Sequence, residues 1–255
     1  MSLLKRLCLC LLALTAPAQS PRLAIAAAAD LQAALGVVKE AFAKEHPGVE
    51  VTLTFGSSGT FYAQIVNGAP FDCFLSADLG YPGQLVQAGL ADGATAFRYG
   101  RGHLVLWVPR NSAIPLEQLG MKALLHPAAK RVAIANPRHA PYGRAAEAAL
   151  TSLGLLEAVK PRLVFGENIG QTAQFVQTGA ADIGILALSL AKAPAMAGAG
   201  RTFDVPEAAY PPLDQGGVIL NRARDKAAAQ AFADFLQSPP GRAILQRFGF
   251  ATDVR

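Results

Sequence analysis

The chain has little cysteine: three in 255 residues, with Cys8 and Cys10 in the first twenty and Cys73 alone beyond them. That excludes a disulfide framework, so a protein exported with this sequence must rely on its apolar core. Cys73 lies inside "FDCFLS", an apolar strand pattern, and reads as a buried, inert thiol rather than a nucleophile. Histidine is equally sparse. His46, His103, His126 and His139 lack the spacing of a metal site, and His46 and His126 each precede a proline, as exposed loop residues do. No run of about 18 uncharged apolar residues is present, so no transmembrane helix is expected. No G-x-x-x-x-G-K-[ST] loop occurs, and no strand leads into G-x-G-x-x-G, so nucleotide binding has no motif to rest on. The formal charge of +5 is mild and unclustered, which argues against nucleic acid.

The opening segment "MSLLKRLCLCLLALTAPAQS" carries Lys5 and Arg6, an apolar run from Leu7 to Leu14, and Ala16-Pro17-Ala18. A basic start, a short apolar stretch and an A-x-A site describe a secretory signal peptide over residues 1–18. Too little apolar sequence precedes Cys10 for a lipoprotein anchor. Removing the two cations takes the formal charge from +5 to +3, which suits a small anionic ligand.

The remaining chain alternates strand and helix patterns. Strands are expected at 22–29, 49–56 and 71–77, each followed by a helix, with a strong strand at 102–109. The pattern restarts with strands at 131–136, 162–166 and 181–188 and helices over 142–153 and 169–178. The tail adds a strand at 216–220 and a helical stretch over 224–248 interrupted at Pro239-Pro240. Such alternation gives α/β lobes with mostly parallel sheets flanked by helices. Two lobes are expected, 19–100 with 206–255 returning to it, and 101–205, with a ligand cleft where strands end and helices begin.

The junctions at that edge share a chemistry. They are Ala28-Ala29-Asp30, Gly56-Ser57-Ser58-Gly59, "NPRHAPYG" (136–143) and "GENIG" (166–170), each small, glycine-bearing or turned by proline. Helix N-termini offer unpaired N–H groups and partial positive charge, and so bind anions without a cationic side chain. The local alternative is ordinary capping, by Ser58 or Thr60 at the second junction and by Asp30 accepting from the Ala33 N–H at the first.

Longer stretches carry a family resemblance. "AAAADLQAAL", "FGSSGTFYAQI" with "GAPFDCFLSAD", "IANPRHAPYGRAAEAAL", "VFGENIGQTAQFVQTGAADIGILALSLA" and "GRAILQRFGF" follow one another in order, and together they resemble the periplasmic molybdate-binding proteins of ABC importers. The resemblance covers nearly the whole chain after residue 18. It implies a type II periplasmic binding protein that captures molybdate or tungstate and delivers it to an inner-membrane ABC permease. It also implies a periplasmic, monomeric protein with no cofactor and no catalytic role. Carried over by position, the oxyanion ligands fall on Ala29, Asp30, Ser57, Ser58, Tyr142 and Ile169. Two departures follow. Ala187 stands where the family often has a tyrosine, and the Tyr142 phenol is expected to supply that donor. Asp30 stands where a hydroxyl is usual, and it is expected to turn its carboxylate away and offer its N–H, unless the ligand carries a proton, as phosphate or arsenate does. Sulfate, phosphate and arsenate remain alternatives. A serine hydrolase using His139 across the cleft from Ser58 is a remote one, since "GSSG" is not a nucleophile elbow. Arg138 and Arg144 are expected on the cleft lip, steering anions.

Overall fold

The structure, a computed structural model, describes residues 22–253; the expected signal peptide lies outside the described residues. The chain begins with β1 (Arg22–Ala28), α1 (Gln32–Glu45), β2 (Glu50–Gly56), α2 (Ser58–Val66), β3 (Cys73–Ser76), α3 (Gly80–Gln87) and β4 (Phe97–Gly102). It then crosses to a second sheet through β5 (Leu104–Pro109), α4 (Leu116–Leu119), β6 (Val132–Ala135), α5 (Pro141–Ser152), α6 (Leu156–Val159), β7 (Leu163–Gly166) and α7 (Ile169–Gln177). The second sheet continues with β8 (Ile183–Ala187), α8 (Leu188–Ala191), α9 (Pro194–Ala197) and β9 (Gly200–Asp204), after which β10 (Leu213–Ile219), α10 (Lys226–Gln237) and α11 (Pro239–Arg247) return to the first.

The two sheets have the orders β2-β1-β3-β10-β4 and β7-β6-β8-β5-β9. In each, a single strand runs against the rest: β10 is antiparallel to both β3 and β4, and β5 to both β8 and β9. Those two strands carry the chain back between the lobes, and the remaining strands run parallel, as strand–helix alternation requires.

The first lobe packs α1 against α10 and α11, with Phe42 edge-on to Phe232 at 5.2 Å and to Phe235 at 5.7 Å. Ser238 ends α10 and caps α11 by accepting from the Gly241 N–H, while Pro239 and Pro240 fill the first helical positions, where no N–H is needed. The second lobe is built on fully buried β6 and β8 and on β5, buried from Leu104 to Val108, around Trp107. Ala28, Ala29 and Ala77 of the first lobe belong to that same apolar cluster, so the lobes share a packed seam at the strand ends. Among the described residues no helix is long and apolar enough to cross a membrane.

Candidate functional site

Register brings the strand ends level. Ala28 pairs with Gly56 and Ala27 with Leu75 in one sheet, and Ala135 pairs with Gly166 in the other. The chain therefore leaves β1, β2, β3, β6 and β7 at one edge of each sheet, and helices start there. Between these starts lies a small cavity of about 10 Å³ lined by Ala28, Ala29, Asp30, Gly56, Ser57, Ser58, Ala77, Ala140, Pro141, Tyr142 and Ile169. All six residues carried over from the family pattern line it. No lysine, arginine or histidine does.

The serines divide their work. Ser57 is the cap of α2, its Oγ accepting from the Thr60 N–H at 3.2 Å, which corrects the expectation that Ser58 or Thr60 caps this helix. Ser58 is fully buried, and its Oγ accepts from the Ala77 N–H at 3.0 Å, leaving the hydroxyl hydrogen free to donate elsewhere. Ser58 and Ile169 stand at the first positions of α2 and α7 and Tyr142 at the second of α5, so their N–H groups have no acceptor within the helix.

Asp30 is fully buried and does not cap. Its Oδ2 accepts from the Tyr142 hydroxyl at 2.9 Å and from the Gln215 amide at 2.7 Å, while Oδ1, also buried, meets no partner. Burial is the main influence on this carboxyl and pushes it up to about 6, against the opposing pull of those two hydrogen bonds and of the Asp30 and Leu31 backbone N–H groups. The Tyr142 phenol thus commits its proton to Asp30 and accepts from Gln215 at 3.0 Å, whereas sequence reasoning aimed it at the ligand. Gln215 is held in turn by the Tyr99 hydroxyl, 3.0 Å from its Oε1. The network leaves no room at the crossing between the lobes: a Cβ on Gly102 would strike the Tyr142 hydroxyl and lie 2.6 Å from the Gln215 amide nitrogen.

Other contacts join the lobes around the cavity. The Gly59 N–H donates to the His139 carbonyl at 3.0 Å, and a Cβ at Gly59 would lie 2.6 Å from that oxygen, so the second glycine of "GSSG" is what lets the lobes touch. Ser189 donates to the Asp30 carbonyl at 2.7 Å. Arg144 reaches Asp78 at 2.6 Å and the Tyr81 hydroxyl at 3.2 Å, so its charge is matched across the lobes rather than presented alone on the lip. A larger groove of about 420 Å³, open to solvent, runs beside this pair along Pro211–Asp214.

His139 meets Ser57, not Ser58. Its Nδ1 lies 2.9 Å from Ser57 Oγ and its Nε2 3.4 Å from Glu167. Ser57 is already tied by its capping bond and by Thr60 Oγ1 at 2.9 Å, and the Glu167 side chain is 75% exposed. The remaining features fall into structural places. Burial, with Asp72 adding to it, pushes the Cys73 thiol up to about 12. Asp72 binds the Ala24 N–H and Arg224, and Asp182 binds the Arg131 N–H. His46 stacks on Phe42 at 4.4 Å, and His126 Nδ1 accepts from the Ala128 N–H; both are half-buried rather than exposed. Among the described residues no cluster of His, Cys, Asp and Glu could hold a metal ion. Sequence reasoning missed Gln215, Tyr99 and Ser189, which carry no local signal.

Comparison with known proteins agrees with this architecture. The family described as "Bacterial extracellular solute-binding protein" matches residues 23–251. The molybdate-binding protein ModA of Azotobacter vinelandii is 38% identical over 237 residues, covering 93% of this chain and 92% of that protein. ModA of Rhodobacter capsulatus is 40% identical over 209 residues, covering 82% and 80% respectively. The solved structure of the Azotobacter vinelandii periplasmic molybdate-binding protein superposes with a TM-score of 0.83 at 35% identity, over 90% of this chain and 98% of that one. The chain belongs to the bacterial extracellular solute-binding protein family, among its molybdate-binding ModA members.

Proposed function

We propose that the protein captures molybdate, and also tungstate, in the cavity between its lobes and delivers it in the periplasm to the permease of an ABC importer. The observation that carries this reading is the cavity itself. Helix starts from both lobes meet around a small cavity lined by hydroxyl and backbone donors and by no cationic side chain. So small a space excludes a sugar or a peptide, and its donors suit an oxyanion. The names of the relatives supply the choice of anion.

In this reading Ala29, Asp30, Ser57, Ser58, Tyr142 and Ile169 surround the ligand, with Ser58 Oγ and the helix-start N–H groups as donors. The lobes are residues 19–100 with 206–255, and 101–205, and the chain acts as a monomer. The protein is a carrier, not an enzyme. The Ser57–His139–Glu167 chain straps the lobes together, because its serine is committed as a helix cap and its acid is open to solvent. The test is calorimetry and thermal melting with molybdate, tungstate, sulfate, phosphate and arsenate. A ligand at a hundredfold excess over Kd stabilises by about 2.7 kcal/mol. Molybdate and tungstate are expected to give the largest shifts and sulfate little, and a panel without any shift overturns the reading.

A further inference from the structure

This inference rests on reading the cavity as an oxyanion site. We propose that the site takes up one proton from solvent with each dianion, and that Asp30 Oδ1 holds this proton and donates it to the bound oxyanion.

Charge is the starting point. A molybdate dianion entering this cavity meets only neutral donors, since no lining residue is cationic. It also meets one acid. Asp30 lines the cavity, is completely buried, and presents two oxygens with different circumstances. Oδ2 is satisfied by Tyr142 and Gln215, while Oδ1 has no hydrogen bond of good geometry and is only weakly favoured in its charged form by the nearby backbone N–H groups of Asp30 and Leu31. A buried carboxylate oxygen without a donor is costly, and a dianion brought beside it makes ionisation costlier still. Protonating Oδ1 removes the repulsion and turns the idle oxygen into a donor. Oδ2 keeps both of its incoming hydrogen bonds, so nothing else in the network has to change.

Beyond the partial charges of the helix starts, no other titratable group in the surroundings balances the charge. From β10 the facing group is Gln215 and from α5 it is Tyr142, which burial first and the Asp30 charge second hold well above an ordinary phenol. From β4 comes Tyr99, raised in the same way. From α8, Ser189 engages only the Asp30 backbone carbonyl. His139, on the turn before α5, is bonded to Ser57 and Glu167 instead. Without ligand, burial already brings Asp30 to about 6, within reach of neutral pH, and an adjacent dianion moves it further in the same direction.

The experiment is titration calorimetry of the full mature chain with sodium molybdate at pH 7.5, in two buffers of different ionisation enthalpy. Wild type is expected to take up close to one proton per anion, and its apparent affinity to fall about tenfold per pH unit between pH 6.5 and 8.5. Asp30→Asn is expected to bind with no proton uptake and no pH slope. Binding by wild type without uptake overturns the inference, as does uptake that survives in Asp30→Asn. Preference for phosphate without uptake overturns it too, because the proton would then arrive on the ligand. An absence of binding by any anion overturns the oxyanion reading as a whole and is thereby distinguishable. If Asp30→Asn does not fold, the wild-type proton count decides alone.

Discussion

Replacing Asp30 by asparagine tests the buried carboxyl in the free protein through stability alone. Its pKa is about 6 in the fold against an ordinary 3.8. The folded state therefore binds more protons than the unfolded chain between those values, and stability falls as pH rises through that window. Each pH unit between them corresponds to about 1.36 kcal/mol, which puts the cost of ionising Asp30 at about 3 kcal/mol, absent below pH 4 and fully present above pH 7. Asparagine keeps an oxygen for the Tyr142 hydroxyl and the Gln215 amide but cannot ionise. Its own NH₂ replaces the unpartnered Oδ1 and carries a penalty of about 1–3 kcal/mol that does not vary with pH. The informative quantity is therefore the pH dependence of the difference between the two proteins, in which constant penalties cancel. Urea unfolding without ligand at pH 4.5, 6 and 7.5, followed through the single buried Trp107, measures it. The variant is expected to gain about 2 kcal/mol on wild type across that range, since about 1 kcal/mol of the cost is already present at pH 4.5. Parallel curves would show that Asp30 does not titrate in the window, and the charge argument for the site would fail at its first step.

Other substitutions probe the remaining parts. Ser58→Ala removes the acceptor of the buried Ala77 N–H and the free hydroxyl together, so it should cost about 1–3 kcal/mol of stability and about 1.5–3 kcal/mol of molybdate affinity by calorimetry; unchanged affinity would take Ser58 out of the site. Gly59→Ala should improve helix propensity by about 1 kcal/mol yet hold the lobes apart at the His139 carbonyl, so weaker binding with an intact melt is expected. Tyr142→Phe removes a hydrogen bond that lowers the Asp30 pKa, so the pH at which affinity begins to fall should move upward; a fixed midpoint would contradict the network. Asp72→Ala deprives the Ala24 N–H and Arg224 of their acceptor and should cost about 1.5–3 kcal/mol in urea unfolding. Burial opposes ionisation of Asp72, but the Arg224 and Ala24 hydrogen bonds outweigh it and leave its pKa below the ordinary value. That contribution should therefore be present above pH 4 and be lost on further acidification.

What could be read from the chain follows how local each cause is. The helix starts were legible because an anion-binding terminus needs small residues, hydroxyls and a turn within a few positions. The strands that escaped were β4 and β9, and both are sheet edges. An edge strand has one side unpaired and tolerates charge, so "FRYGRG" and "GRTFD" show arginines where apolar runs mark the interior strands. Asp30 was placed at the site, but the bonding of its carboxylate escaped for a different reason. An acid before a helix is a cap by every local rule, and no signal within ten residues says otherwise. Its partners lie 112 and 185 positions away, on the other lobe and on the returning strand. The same distance explains why Gln215, in an ordinary "LDQGG", was missed.

Those long-range bonds also bear on how the lobes work. Tyr142 is the one member of the Asp30–Gln215–Tyr99 network contributed by the second lobe, so opening the cleft breaks two hydrogen bonds inside it, one to Asp30 and one from Gln215. Opening also brings water to the buried carboxyl, which makes its protonation harder. An open cleft thus carries a charged Asp30 that repels the dianion, while a closed one carries a group ready to accept a proton. Closure, protonation and anion capture become coupled through one side chain, and release into the permease is helped by the same carboxylate when the lobes part.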